Sequence, residues 1–390
     1  MQIISNTSSL KKFCQHLSKK EVGEYITIDT EFVRTDTYRS KLCLVQIAGS
    51  EQEALIDPLA PGLDLSFLRA LLQDENILKV FHSGRQDLEI FYQMWGELPR
   101  PIFDTQVAAM VCGYGESVGY DSLVQSICQK KVDKSFQFMD WARRPLSKQQ
   151  EAYAIRDVTY LRPIYQYLRG QLESTGRQDW IAEEMVRLQD PNIYEIDVDN
   201  IWRRIKTRGD NPRFLARLQA LAKVRELEAQ RHNKLRHHVL KDSTLIELAA
   251  NPPHELKNFS IIKGISSGVE DTRLGCELWQ ALQDVQKLSI DQCPQKKVRI
   301  KPASGKESEL DLLQLWLKVV CRREKVAPKL VGTSRDLEIF IGNQNDTDLA
   351  LLRGWRYELF GKDALALLSG EKGIAHCRQT KSLELVDIPK

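Results

Sequence analysis

The chain has no pair of cysteines at C-x-x-C spacing, and no two of its eight cysteines lie closer than Cys112 and Cys128. Neither a zinc knuckle nor a disulfide framework can be read from such a scatter, and a reducing, cytoplasmic setting is the expectation. Long apolar runs are missing as well. The longest charge-free stretch, Thr105 to Gly115, has 11 residues, about half of the roughly 20 that a membrane-crossing helix needs. The opening residues, MQIISNTSSLKKFC, have no basic start before an apolar core, so no secretory signal is expected. With 42% apolar and 28% charged residues among 390, the composition excludes global disorder and collagen-like structure. The length suits two to four domains, each with its own core.

Charge is unevenly spread. Residues 1–200 carry a net −7 and residues 201–390 a net +10, of which 201–240 alone contribute +8. An acidic front and a basic back suggest a metal-using head joined to a tail that binds a polyanion.

The head alternates strand and helix patterns. Tyr25–Val33 has period-two alternation, with Ile26, Ile28 and Thr30 on one face and Thr27, Asp29 and Glu31 on the other. Lys41–Ala48 and Glu53–Asp57 follow as short strands, and spacing this close favours an antiparallel meander of three. Leu65–Leu72 reads as a helix, Ile77–His82 as a buried strand and Gly84–Trp95 as a helix. A short strand at Pro101–Phe103 then runs into a helix at Asp104–Val111. The sum is an α/β head, a mixed sheet flanked by helices. One long helix is expected from Ser147, which can cap it with Gln150 at the capping-box position.

The segment 171–200 is acidic, at −6, and reads as a connector. Asp210-Asn211-Pro212 is a strong helix start, after which Phe214, Leu218, Leu221, Val224 and Leu227 mark a buried face at helical spacing. Residues 289–309 are polar and basic, as a linker would be. Across it runs a weak repeat. Leu245-Ile-Glu-Leu and Ile261-Ile-Lys-Gly264 resemble Leu337-Glu-Ile-Phe and Leu351-Leu-Arg-Gly354, which implies two small all-α bundles of one kind.

Four acids carry the candidate chemistry. Asp29 and Glu31, two apart on a strand, put two carboxylates on one face. Asp87 opens a helix after the next long strand, and Tyr153 and Asp157 share a helix face at i and i+4. Taken singly, each has a structural explanation: an edge pair, a dipole-favoured helix start, a buried tyrosine beside a solvated acid. Taken together, their order suggests convergence at one sheet edge. Four carboxylates can hold two hard cations such as Mg²⁺ or Mn²⁺, the arrangement used for phosphodiester hydrolysis.

Asp29-Thr-Glu31-Phe, the Asp87 motif and Tyr153-x-x-x-Asp157 resemble the three exonuclease motifs of the DEDD superfamily, in its tyrosine branch. The histidine branch would have His where Ala152 stands. With Asp140–Ser147 (DWARRPLS) before the third motif, the head resembles the ribonuclease D family. The tail resembles two copies of the helical HRDC domain, a nucleic-acid-binding module. The resemblance implies a ribonuclease H-like exonuclease head over 1–175, an acidic connector over 176–208 and a first HRDC domain over 209–288. A linker over 289–308, a second HRDC-like domain over 309–375 and a C-terminal tail complete the division.

It further implies that Asp29, Glu31, Asp87 and Asp157 ligate two divalent ions, that Tyr153 orients the attacking water, and that Phe32 wedges against the terminal bases. Ser83 stands where related proofreading exonucleases have Asn, and His82 reads as a strand-end residue. The activity implied is 3′→5′ hydrolysis of RNA to nucleoside 5′-monophosphates, with tRNA precursors and other small structured RNAs as substrates. In the basic tail, Lys223, Arg225, Arg231, Lys234, Arg236 and Lys241 are candidate phosphate contacts, with His232, His237 and His238 among them and no metal assigned there. The basic stretch Lys318–Lys329 of the second copy is diluted by Asp346 and Asp348. A DNA exonuclease and a non-catalytic RNA-binding protein are the alternatives. No coiled coil or apolar seam calls for self-association, so a monomer without a membrane or obligate protein partner is expected.

Overall fold

In the computed structural model, which describes residues 2–19, 25–133, 135–136, 139–295, 305–343 and 348–389, the alternating segment Tyr25–Val33 lies inside a six-stranded sheet. The strands β1 (Gln2–Ile4), β2 (Tyr25–Val33), β3 (Lys41–Ala48), β4 (Glu53–Ile56), β5 (Leu78–Phe81) and β6 (Ile102–Asp104) are ordered β1-β4-β3-β2-β5-β6. β2, β3 and β4 form the expected antiparallel meander, while β5, β6 and β1 add in parallel, so the sheet is mixed. β1, three residues and too short to display a period, and the 11-residue helix α1 (Thr7–Leu17) are additions to the sequence reading.

Ile26, Ile28, Val45 and Ile47 face the main core with α1, α2 (Ser66–Gln73), α3 (Arg85–Trp95) and α4 (Thr105–Val111). Leu44, Ala48 and Leu55 face the other way, against Trp141 and a helix described next. A short helix α5 (Tyr120–Leu123) precedes that region.

The single long helix expected from Ser147 is two helices. Ser147 forms the capping box with Gln150 as anticipated, but α6 (Lys148–Thr159) ends at Tyr160 and α7 (Leu161–Thr175) starts again. Pro163 is the reason: it has no N–H to give to the carbonyl of Thr159, so the ladder cannot run through. The acidic connector is likewise no loose strap. It contains α8 (Gln178–Leu188), which buries Ile181 and Met185 in the head core.

The first helical unit comprises α9 (Pro212–Arg231), α10 (Arg236–Val239), α11 (Asp242–Ala250) and α12 (Arg273–Gln286), around a core of its own that includes Leu218, Leu245, Phe259 and Leu278. α9 starts as expected, with Asn211 as cap and Pro212 in the first turn. Of the expected stripe, Leu218 and Leu221 are buried and Phe214 and Val224 pack partly against the same core, while Leu227 is exposed; Leu215, Ala222, Arg225 and Ala229 widen the buried face.

The second unit, α13 (Glu307–Glu324), α14 (Pro328–Val331), α15 (Ser334–Gly342), α16 (Gly354–Arg356) and α17 (Lys362–Leu368), repeats the order of a long helix, a four-residue helix and a nine-residue helix. The glycines of the repeat, Gly264 and Gly354, both have positive φ, at +90° and +56°, the backbone region that glycine enters without strain. This unit is not a separate body on a tether, since Leu313, Trp316, Val320 and Phe360 join the core of the head. Arg356 fixes it there by bonding Glu183 and Glu184 of α8. The expected tail beyond residue 376 is instead part of an antiparallel hairpin, β7 (Lys372–Cys377) with β8 (Ser382–Asp387). Much of the linker (296–304), and Asp346, lie outside the described residues.

Candidate active site

β2 supplies two acids and α6 a third. Asp29 and Glu31 share one face of β2, opposite Gln46 and Leu44 of β3, and that face lies under α6. α6 brings Asp157, and carboxylate oxygens of Asp29, Glu31 and Asp157 all lie within 4.8 Å of one another. Two hydrogen bonds bracket Asp157: Thr27 Oγ1 donates to Val158 O at 2.8 Å, and Tyr120 OH donates to Arg156 O at 2.8 Å. Neither Thr27 nor Tyr120 stood out in the sequence, because each acts on the backbone of a distant helix. A register shift between Glu31 and Phe32 ends the regular pairing of β2 with β3 just past the acids. Bulges of this kind re-aim side chains and recur beside active sites. Phe32 is half-buried there, packed against the head core.

Asp87 is adjacent but stands apart from the close group. It is buried in the first turn of α3, and its carboxylate accepts from Thr30 Oγ1, on the opposite face of β2 from Asp29 and Glu31. The turn before α3 is held by Asp104, whose carboxylate accepts from the N–H groups of Ser83 at 3.0 Å and Gly84 at 2.9 Å. Ser83 sits in the left-handed region at φ +56°, a conformation asparagine adopts more readily than serine. A side chain at position 84 would collide with Phe81, 2.5 Å from the site of a Cβ, so this turn requires glycine.

The electrostatics of the site are those of crowded like charges. Burial, and then Asp157, raise the Asp29 carboxyl to about 8. Burial, and then Asp29, Asp157 and Asp87, raise Glu31 to about 10. Burial alone raises Asp157 to about 7. Asp87 is pushed well above its ordinary value by burial and by Asp29. Carboxylates so placed ionise together at neutral pH only when positive charge joins them. Oxygen donors of this kind suit a hard divalent cation, so the residues present fit such ions.

Tyr153, half-buried on α6, is raised by burial and then by Asp157, Glu31 and Asp29, so its hydroxyl stays protonated beside the acids. Its ring lies 5.9 Å from Phe136 and 6.0 Å from Trp141. Trp141 belongs to the segment Asp140–Ser147, which is pinned by a forked bond from Arg144 to Asp57, with both contacts at 2.7 Å, and by a further bond from Arg144 to Cys43 O. His82 bonds Thr105 Oγ1 at 3.0 Å, and burial lowers its pKa, so it remains the neutral strand-end residue expected.

The six tail cations divide. Arg225 is buried, with its guanidinium held by Leu240 O and Asp242, and it presents little surface to a phosphate although it contributes to the wall of the cavity described below. Arg236 grips Glu226, Lys223 pairs with Asp199, and Arg231 pairs with Glu228 and Glu277. Lys234 and Lys241 are exposed and make no ion pair among the described residues. Lys241, Arg236, Arg204 and His237 line a cavity of about 450 Å³.

Against known proteins, the 3′-5′ exonuclease family matches residues 1–173 and the HRDC domain matches residues 214–282. The ribonuclease D of Sphingobium indicum is 42% identical over 96% of this chain and 96% of its own length. That of Gluconacetobacter diazotrophicus is 42% identical over 94% and 93%. The crystal structure of Escherichia coli RNase D, described as an exoribonuclease involved in structured RNA processing, superposes with a TM-score of 0.78 at 31% identity over 94% of this chain and 98% of that one. No described helix is long and apolar enough to cross a membrane. The matching lengths, the exonuclease head with its acids drawn together, and the helical domain behind it lead to one conclusion: the chain belongs to the ribonuclease D family and is a 3′→5′ exoribonuclease.

Proposed function

We propose that the chain shortens RNA from its 3′ end to nucleoside 5′-monophosphates, with Asp29, Glu31, Asp87 and Asp157 holding two divalent ions, Mg²⁺ or Mn²⁺. The observation that carries this reading is the group of three carboxylates within 4.8 Å, raised in pKa by burial and mutual repulsion. Bound there, the ions would make water a nucleophile at neutral pH and offset charge building on the scissile phosphate.

The residues supply the rest. The protonated Tyr153 hydroxyl stands beside the acids and can hold the attacking water in line through a hydrogen bond. As the bond from water oxygen to phosphorus forms, the bond to the 3′ oxygen breaks and the terminal nucleotide leaves as its 5′-monophosphate. Phe32, just past Glu31 and half-buried against the head core, is our candidate for packing against a terminal base. Asp87, close enough to Asp29 and Glu31 for their charges to act on one another, would complete the ligand set.

The relative from Escherichia coli supports structured RNAs as substrates, and we extend the reading to small RNAs and the 3′ ends of tRNA precursors. The cavity lined by Arg204, Arg236, His237 and Lys241 supports phosphate contacts by the first helical unit. The shared helix order supports reading the second unit as another HRDC-type domain.

The test uses matched RNA and DNA, each labelled at the 5′ or the 3′ end, with Mg²⁺ or Mn²⁺ and with chelator. Immediate release of 3′ label as a mononucleotide from RNA, dependent on metal, is expected; internal cleavage or full activity in chelator would refute the proposal. Mn²⁺ should also raise the melting temperature of the wild type, since ions that bind only the folded cluster stabilise it.

A further inference from the structure

The turn between β2 and β3 leaves the head and ends inside the first helical unit. Tyr38, on this turn, is only 7% exposed. Its hydroxyl donates to Glu226 of α9, a side chain with no exposed surface, and accepts from Gln230 Nε2 at 3.1 Å. Arg236 bonds the same Glu226 and lies over the Tyr38 ring, 5.3 Å from its centre. Two backbone contacts complete the joint. The N–H of Tyr38 donates to Asn233 O at 3.2 Å, and the N–H of Arg39 donates to Asn233 Oδ1 at 2.9 Å. Asn233 has a left-handed backbone, φ +50°.

This joint differs in kind from the one made by the second unit. The second unit shares apolar core with the head, whereas the first keeps a core of its own. What holds it at this point is a polar network taken out of water, in which each bond is strengthened by the low local dielectric and any loss strands a buried charge. The network also lies close in sequence to the chemistry. Glu31 and Phe32 flank the register shift of β2, and Tyr38 is on the turn that follows. A strand end broken by a bulge loses ladder bonds, so its direction depends on what holds the turn.

We propose that the first helical unit braces the β2–β3 hairpin, with Tyr38, Glu226 and Asn233 as positioning residues for Glu31 and Phe32, apart from any contact the unit makes with RNA. The proposal rests on the exonuclease site described above.

The full chain is compared with Tyr38→Phe, Asn233→Gly and the double variant in Mn²⁺. One substrate is a single-stranded RNA long enough to reach the helical units; the other is a dinucleotide, which fills only the active site. Asn233→Gly tolerates the left-handed backbone and leaves the Tyr38–Glu226 pair in place, so it reports on the brace even if Tyr38→Phe loosens the fold. Melting is followed in parallel, and each variant is assayed well below its midpoint. The expected result is a fall in kcat of roughly ten- to a hundredfold on both substrates, with little change in KM for RNA and with losses that do not add in the double variant. Dinucleotide turnover at the wild-type rate in both single variants would overturn the brace, even if the KM for RNA rose, because the unit would then act as an RNA holder alone. Absence of hydrolysis by the wild type would count against the exonuclease site instead.

Discussion

Three carboxylates in one half-buried pocket would repel one another if all were ionised, so at neutral pH the pocket keeps protons or takes up positive charge. Replacing Asp157 by Asn should therefore raise the melting temperature of the metal-free chain or leave it unchanged, while lowering turnover on the order of a thousandfold. RNA binding should persist; calorimetry and a filter-binding assay separate the two. Thr27→Val keeps the shape but removes the donor to Val158 O. It should cost roughly tenfold in kcat through misplacement of Asp157, read from the rate at saturating RNA. Strand period two and helix spacing i, i+4 put Asp29 with Glu31 and Tyr153 with Asp157 on shared faces, and the resemblance of their ordered motifs to the DEDD exonucleases made the set legible as a site. Thr27 and Tyr120 were not, since bonds to helix carbonyls 131 and 36 positions away leave no local pattern. Asp87 was legible as an acid at a helix start, but its bond from Thr30, 57 positions away, was not.

Among the elements, α6 and α7 show how one residue divides a pattern. The apolar spacing runs through both, and only the missing N–H of Pro163 marks the break. On α9 the buried face is wider than the apolar stripe. Arg225 and Glu226 are buried where a hydrophobicity pattern expects polar residues outside, because each meets a partner, Asp242 or Arg236, that sequence spacing does not announce. The segment Asp140–Ser147 hangs on the fork between Arg144 and Asp57. Arg144→Lys can make one of those contacts but not the planar pair, and a loss of about 2 kcal/mol is expected in denaturant unfolding. For Glu226, burial works upward, but the bonds from Arg236 and Tyr38 outweigh it and hold the carboxyl below its ordinary value near 4.5. A lowered folded pKa means stabilisation that is complete above that ordinary value and is lost as the pH falls through the folded one. The gap in melting temperature between wild type and Glu226→Gln should thus be constant near neutrality and close in acid below about 4.5.

For the molecule as a whole, the change in charge sign between the halves coincides with the passage from the exonuclease head to the helical tail. It did not distinguish cations that face solvent from those spent on internal pairs. Salt dependence makes that distinction. Lys241→Ala should weaken RNA binding alike for all sequences and reduce the slope of log K against log salt by about 0.7–1. Arg225→Leu should leave the slope unchanged and instead lower the melting temperature; fluorescence anisotropy over a salt series reads the first effect and calorimetry the second. The domain order was legible from composition and repeats, but the seating of the second unit against the head was not, because its apolar face resembles that of any bundle helix.

That seating has a consequence for synthesis. Met110 offers its carbonyl to Ala327, and a side chain at position 113 would strike Lys325. One wall of the nuclease head is thus contributed by residues translated more than two hundred positions later. On the ribosome the head waits with that flank uncovered, and a nascent chain halted near residue 290 would present apolar surface to chaperones or to its neighbours. Ribosome-arrested chains of increasing length, probed by limited proteolysis, should gain full protection of the head only after residue 367 has emerged.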